Sequence, residues 1–226
     1  CRRPGGRALT GSELVYGGPF LMSPDLRFGA NDVRILADDT AYEGYFSIRR
    51  LTLQYRSFDG GWVAPQVREV FERGDAVGVL PYDPASDSLL LIEQFRPGAM
   101  RDDNSPWMLE LIAGIVEPGE RDEEVAHREA MEEAGCTLSE LVSIATVLPS
   151  AGACSEQVQL YCGRLQDPVV PGVHGLAEEG ENILVHRVPV TDAFDLLAQN
   201  RVPNGHTLIS LLWLQNNIQS LRERWG

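Results

Sequence analysis

The spacing of apolar and polar residues changes character near residue 75. Before that point "YFSIRRLTLQYRSF" (45–58) alternates over a long span, and "VREVFERG" (67–74) resumes the pattern. Alternation with a period of two marks strands whose two faces meet different surroundings. "DGG" at 59–61 falls where a hairpin turn belongs, since glycine accepts the positive φ such turns require. The region from Asp32 to about Gly74 thus reads as a small antiparallel sheet. Its apolar mass is too small to stand alone, so it is expected to pack on the rest of the chain or on a second subunit.

From Asp75 onward short strands and helices mix, which predicts an α+β arrangement. "AVGVLPYD" and "SLLLIEQF" read as strands around the turn "PASD", and "WMLELIAG" as one further buried strand. "LVSIATVLP" and "VQLYCGRL" are rich in β-formers and flank the small-residue loop "SAGACSEQ". "ENILVHRVPV" reads as a strand, and "TDAFDLLAQN" as a short helix opened by a Thr cap. The closing "GHTLISLLWLQNNIQSLRERW" places apolar residues at 208, 211, 212, 214, 218 and 221, the spacing of an amphipathic helix.

One further helix is predicted over Arg121–Ala134. Glu120, Asp122, Glu123 and Glu124 crowd its start, where the helix dipole favours negative charge, and Gly135 sits where a helix stops. Ala126, Ala130 and Ala134 form a row of small side chains that allows close packing on a sheet, with Val125 and Met131 extending the buried side.

Composition adds little to this picture until charge is considered. Apolar residues make up 43% and charged residues 23%, as in ordinary globular chains. The formal net charge of −14, with no visible Lys/Arg cluster, argues against a nucleic-acid partner. A small anionic substrate remains compatible with it, because bound cations reverse the local field. The four cysteines show no metal-ligand spacing and are expected to be reduced thiols of a cytoplasmic protein. No apolar run reaches membrane-spanning length. Met22 is the expected natural start, with residues 1–21 an upstream or added extension that is disordered or loosely attached. Residues 22–74 and 75–226 are the expected domains.

The acidic helix carries the candidate chemistry. Glu129 and Glu133 are four residues apart and lie one above the other, and Glu132 shares part of that face. Like charges so placed repel. Arg128 is positioned to pair back to Glu124 and forward to Glu132, which offsets only part of the repulsion. A hard divalent cation with oxygen ligands would offset the rest. The Gly/Pro loop in "AGIVEPGE" is expected to fold Glu120 and a backbone carbonyl toward the same point. The plain alternative is a solvated acidic helix.

More than charge is present, however. Gly114, Glu120, Arg128, Glu129, Glu132, Glu133 and Gly135 fit G-x5-E-x7-R-E-U-x-E-E-x-G-U, with Ala130 and Cys136 smaller than usual at the apolar positions U. At residue frequencies of about 6–7%, seven fixed identities arise by chance in such a chain roughly once in a million. This pattern resembles the Nudix box. From about Asn31 to the C-terminus the chain resembles the bacterial ADP-ribose pyrophosphatases of that superfamily, through "NDVRILA", "VREVFERGDAVGVLPYD", "LLIEQFR", "LELIAGIVEPGE", "REAMEEAG", "HGLAEEGENILVH" and "LISLLWLQ".

The resemblance implies a Nudix α/β/α sandwich with a mixed sheet, preceded by a small N-terminal antiparallel sheet that dimerises. It implies Mg²⁺-dependent attack of water on the pyrophosphate of ADP-ribose, giving AMP and ribose 5-phosphate. GDP-mannose or another nucleoside diphosphate sugar is the alternative substrate, and a non-catalytic nucleotide sensor the alternative class. Two or three Mg²⁺ ions are implied, with Mn²⁺ as a substitute. Their ligands would be the Ala113 carbonyl, Glu129, Glu132, Glu133 and Glu181. Glu179 matches the family's proposed general base, with the neighbouring Glu178 an alternative in register. For the substrate, Tyr45 and Phe46 match an adenine-stacking pair, and Arg68, Glu69, Arg73, Arg96, Ile115, Ser150, Ala151, Gly152 and Glu156 match further contacts. The family's loop is richer in glycine than "SAGACSE". His127, His174, His186 and His206 are not grouped as ligands and are expected to be structural or surface residues.

Overall fold

A computed structural model describes residues 26–101, 105–176 and 180–226. The expectations for residues 1–21, Glu178 and Glu179 lie outside these residues. By contact density the chain forms two compact units. One comprises the described residues up to Arg73 together with Ser150–Ser155, and the other Gly74–Pro149 with Glu156–Gly226.

The first unit is an antiparallel sheet of β1 (Val33–Glu43), β2 (Ser47–Tyr55) and β3 (Gln66–Glu72). β2 is central, with Val33 opposite Tyr55 on one side and Ser47 opposite Glu72 on the other. The β2–β3 connection turns on Gly60 and Gly61, whose φ values are 100° and 73°. Across the sheet Arg49 pairs with Asp38 and with Glu72. Ser150–Ser155 docks on the end of β3. Phe71 N donates to Ala153 O at 2.8 Å, and Ser155 Oγ donates to Glu72 Oε2 at 2.5 Å.

The second unit is built on an eight-stranded mixed sheet. Its strands are β4 (Ala76–Asp83), β5 (Ser88–Phe95), β6 (Trp107–Glu110), β7 (Ile112–Ile115), β8 (Leu138–Val147), β9 (Val158–Leu165), β10 (Val173–His174) and β11 (Ile183–Pro189). The main path runs β10-β11-β5-β4-β9-β8, with β6 on β5 and β7 on β4. β4 and β9 are parallel, and the other pairs are antiparallel. The helices are α1 (Asp122–Ala134), α2 (Val190–Ala198) and α3 (Gly205–Trp225).

Strands covered on both faces need no polar side, which is why β4 and β5 read as nearly unbroken apolar runs. Leu80, Tyr82, Leu89 and Leu91 enter one core with Ala193 of α2 and Leu211, Leu214, Ile218, Leu221 and Trp225 of α3. Val77, Val79, Leu90 and Ile92 enter the other with Val125, Ala126, Ala130 and Ala134 of α1. The unit is therefore a helix–sheet–helix sandwich, and the whole fold is α+β with a small N-terminal antiparallel sheet.

Four local expectations require correction. "WMLELIAG" is two strands, because the segment changes partner from β5 to β4 at Leu111. There the Leu111 N–H leaves the sheet ladder and donates to Thr207 Oγ1 at 2.9 Å. α2 starts before Thr191, with Pro189 at its cap position and no side-chain cap. Val190 is buried and donates its N–H to Asp87 O, so a tertiary contact sets the start. Met131 is 49% exposed, because it lies off the narrow stripe that α1 buries. On α3, Leu212 likewise faces outward, while Ser210 and Thr207 are buried in the stripe.

Candidate active site

The site begins with a turn and a helix start. Gly119, at φ 94°, bends the loop before α1, and Glu117 N donates to Glu120 Oε2 at 2.9 Å. This turn delivers Glu120 to Arg128. Arg128 Nε and Nη2 each reach a Glu120 oxygen at 3.1 Å, and Nη2 also reaches Ile115 O at 3.3 Å. Arg128 Nη1 donates to Glu129 Oε1 at 2.6 Å and to Glu132 Oε2 at 3.1 Å. The expected pairing with Glu124 does not form, since Glu124 is bound to Arg121 at the helix start. A bidentate partner from the loop outcompetes an i−4 neighbour because two parallel charge-assisted bonds exceed one.

Glu129 and Glu133 point into the sandwich. Both are buried, at 9% and 3% exposure, which is unusual for carboxylates. Burial pushes the Glu129 carboxyl up to about 7, against the pull of Arg128 and with added repulsion from Glu132 and Glu181. Burial likewise pushes Glu133 up to about 8, with Ala113 N–H and Arg96 opposing and Glu129 and Glu181 adding to the rise. The Ala113 bond is a backbone donor at 3.0 Å from Glu133 Oε2. Gly114 is required by steric contact: a Cβ there would lie 1.7 Å from Glu129 Oε1 and 2.0 Å from its Cδ.

Glu181 arrives from a distant part of the chain and shares this field. Its carboxylate accepts from Leu176 N at 2.9 Å across the turn of Gly175 (φ 99°). Arg96 follows β5, where its Nε donates to the buried Glu110 at 2.8 Å. The second unit thus holds Ala113, Ile115, Arg96, Glu129, Glu132, Glu133, Glu156 and Glu181, of which Glu156 is buried like Glu129 and Glu133.

The first unit holds the other expected substrate residues. Tyr45 is exposed and meets Phe46 edge-on at 4.6 Å, Phe46 meets Phe71 at 5.2 Å, and Arg73 lies 5.6 Å over the Phe46 ring. On β3, Arg68 is exposed and donates to Val67 O, and Glu69 faces Arg50 at 4.0 Å. Ser150 O accepts from Ala153 N and Cys154 N, forming a turn that exposes Ala151 and Gly152.

The donor set suits a divalent metal. Carboxylate oxygens are hard ligands, and two buried carboxylates left charged demand a cation. Among the described residues no three His, Cys, Asp or Glu side chains converge on one point. Arg128 already occupies Glu129 and Glu132, so their oxygens turn to a metal only as those bonds are shared or released. Sequence reasoning missed Glu110, a lone acidic residue in the apolar run "WMLELIAG", although that isolation was a usable signal.

An acidic helix seated on a mixed sheet, with a glycine that admits its carboxylate, defines a class of helix–sheet–helix proteins. The NUDIX domain family matches residues 72–208. The chain is 40% identical over 207 residues to an ADP-ribose pyrophosphatase of Haemophilus influenzae, covering 90% of this chain and 95% of that protein. It is 39% identical over 209 residues to an ADP-ribose pyrophosphatase of Escherichia coli, covering 91% and 100%. A GDP-mannose pyrophosphatase of Salmonella paratyphi B is 27% identical over 186 residues, covering 82% and 96%. A crystal structure of an ADP compounds hydrolase shares the fold with a TM-score of 0.65 at 21% identity, covering 86% of this chain and 96% of that one. The chain belongs to the Nudix family.

Proposed function

We propose that this protein is a Nudix pyrophosphohydrolase that cleaves the pyrophosphate of ADP-ribose to AMP and ribose 5-phosphate. The observation that carries the chemistry is the buried Glu129–Glu133 pair, seated against Gly114 and the Ala113 N–H. Support for the substrate comes from 40% identity to an ADP-ribose pyrophosphatase over most of both chains. The weaker likeness to GDP-mannose pyrophosphatases makes another nucleoside diphosphate sugar the second reading.

In the proposed site Glu129, Glu132, Glu133, Glu181 and the Ala113 carbonyl would hold two or three Mg²⁺ ions, with Mn²⁺ as a substitute. When bound, such ions neutralise the pyrophosphate and lower the pKa of water. Glu179 takes the proton of the attacking water, with Glu178 the alternative. Arg96 binds a substrate oxygen anion through its planar fork. Tyr45 and Phe46 stack on adenine, and Arg68, Glu69, Arg73, Ile115, Ser150, Ala151, Gly152 and Glu156 contact the substrate. No helix among the described residues is long and apolar enough to cross a membrane, and we place the protein in the cytoplasm, without a nucleic-acid partner.

A homodimer through the N-terminal sheet belongs to the same reading. Among the described residues β1 is an edge strand exposed along all 11 residues, with Val33, Ile35, Leu36 and Tyr42 among the exposed apolar side chains. Such an edge ordinarily demands cover. Sedimentation should give twice the chain mass; a monomer at micromolar concentration rules the dimer out.

The deciding experiment is a hydrolysis screen with and without Mg²⁺ over ADP-ribose, GDP-mannose, NADH and diadenosine polyphosphates. ADP-ribose should give the highest kcat/KM, with AMP as a product and no turnover in chelator. Preference for GDP-mannose would install the second reading, and inactivity on every compound would leave a nucleotide sensor.

A further inference from the structure

Glu110 is a deeply buried carboxylate outside the acidic helix whose position is fixed on both oxygens. It is 3% exposed, at the end of β6 and separated by Leu111 alone from the strand that carries Ala113 and Gly114. Its Oε1 accepts from Asn204 Nδ2 at 2.8 Å. Asn204 Oδ1 in turn caps α3, accepting from Thr207 N at 2.9 Å and Thr207 Oγ1 at 3.0 Å. Thr207 Oγ1 accepts from Leu111 N, the residue after Glu110, which closes the circuit. On the other side Oε2 accepts from Arg96 Nε at 2.8 Å and from Gln94 Nε2 at 3.4 Å.

A buried carboxylate paired with a half-exposed arginine is a poor stabilising device, because desolvation offsets the attraction. Its value lies in direction. The bond uses Nε, and no hydrogen bond to a described residue takes up the two terminal nitrogens of Arg96, which suit an oxygen anion in the fork geometry a phosphate matches.

We infer that Glu110 is a positioning residue: anchored by Asn204 at the cap of α3, it holds Arg96 Nε so that the guanidinium fork meets a pyrophosphate oxygen. This rests on the pyrophosphatase reading and adds to it a second carboxylate role, one that touches neither substrate nor metal.

The test compares wild type, Glu110→Gln, Arg96→Ala and the double variant. Gln keeps the shape but replaces one acceptor with a donor, so Arg96 and Asn204 cannot both be satisfied. Glu110→Gln should raise KM for ADP-ribose about tenfold or more, the worth of one charge-assisted bond, with kcat within about threefold. Calorimetric affinity for inorganic pyrophosphate with Mg²⁺ should fall by a similar factor. In the Arg96→Ala background the same change should alter neither quantity. An unchanged KM, additive losses in the double variant, or a wild type that does not bind pyrophosphate would overturn the inference. Should Glu110→Gln fail to fold, Asn204→Asp serves. It keeps the cap acceptor for Thr207 but withdraws the donor from Glu110, and it should raise KM in the same way; an unchanged KM there also overturns the proposal. A wild type that binds pyrophosphate yet does not hydrolyse ADP-ribose overturns the substrate reading alone, because the pyrophosphate arm still decides the role of Glu110.

Discussion

At the scale of single residues the site depends on an atom that is absent. Gly114→Ala would place a Cβ 1.7 Å from Glu129 Oε1. What must move is the end of a flexible side chain, so the fold should tolerate it while the carboxylate swings out of place. Misplacement by about 1 Å can cost on the order of a hundredfold in rate. Gly114→Ala is therefore expected to melt within a few degrees of wild type and to lose about a hundredfold or more in kcat. Near-normal kcat would show that Glu129 does not need its seat. Glu133→Gln separates the charge from the packing: turnover should fall by orders of magnitude and the metal requirement should rise. Glu179→Gln should lower kcat with little change in substrate affinity; if Glu178→Gln alone does so, the base is one residue earlier. Much of this was legible in the sequence, because the i,i+4 rule alone stacks Glu129 on Glu133. So was the pairing of Arg128 with Glu132, but its loop partner was not. Helical spacing favours Glu124, whereas the turn at Gly119 brings in Glu120, and such a turn leaves no periodic trace.

At the scale of elements, side-chain volume decides how closely strands approach. A Cβ on Gly78 of β4 would lie 2.8 Å from both Leu111 Cδ1 and Leu160 Cδ2. Both neighbours are buried and cannot retreat to solvent. Gly78→Ala should thus destabilise by about 1–3 kcal/mol through overpacking, read as a lower urea midpoint at unchanged slope. An unchanged midpoint would show that the cores repack freely. The same crowding explains what the sequence could and could not reveal. α1 was readable from Ala126, Ala130 and Ala134, since a small-residue row has a local period. The break at Leu111 was not, because it records a change of partner strand and a bond from Thr207, 96 residues away. The start of α2 was likewise hidden, since Asp87 and not a local cap sets it.

For the whole molecule, net charge and buried carboxylates combine into one measurable dependence. The chain carries a formal −14, and two of its glutamates are held above their ordinary value of 4.5, Glu129 at about 7 and Glu133 at about 8. A folded-state pKa above the unfolded one means that the native protein binds more protons in between, so stability falls as pH rises. In metal-free buffer the contribution of this pair is fully present below about pH 4.5 and is lost as pH passes through 7 and 8. A divalent cation held by this pair would take the place of those protons and bind more tightly as they leave. At a Mg²⁺ concentration a hundredfold above its dissociation constant the gain is about 2.7 kcal/mol. Thermal melts should therefore show a rise with Mg²⁺ that is larger at pH 8 than at pH 6. In Glu133→Gln the rise should shrink at both pH values, and the metal-free decline between them should flatten. An equal Mg²⁺ shift at both pH values, retained in Glu133→Gln, would place the cation elsewhere on this acidic surface. The repulsion between two stacked glutamates would then be a feature of the fold alone, with no part in holding the metal.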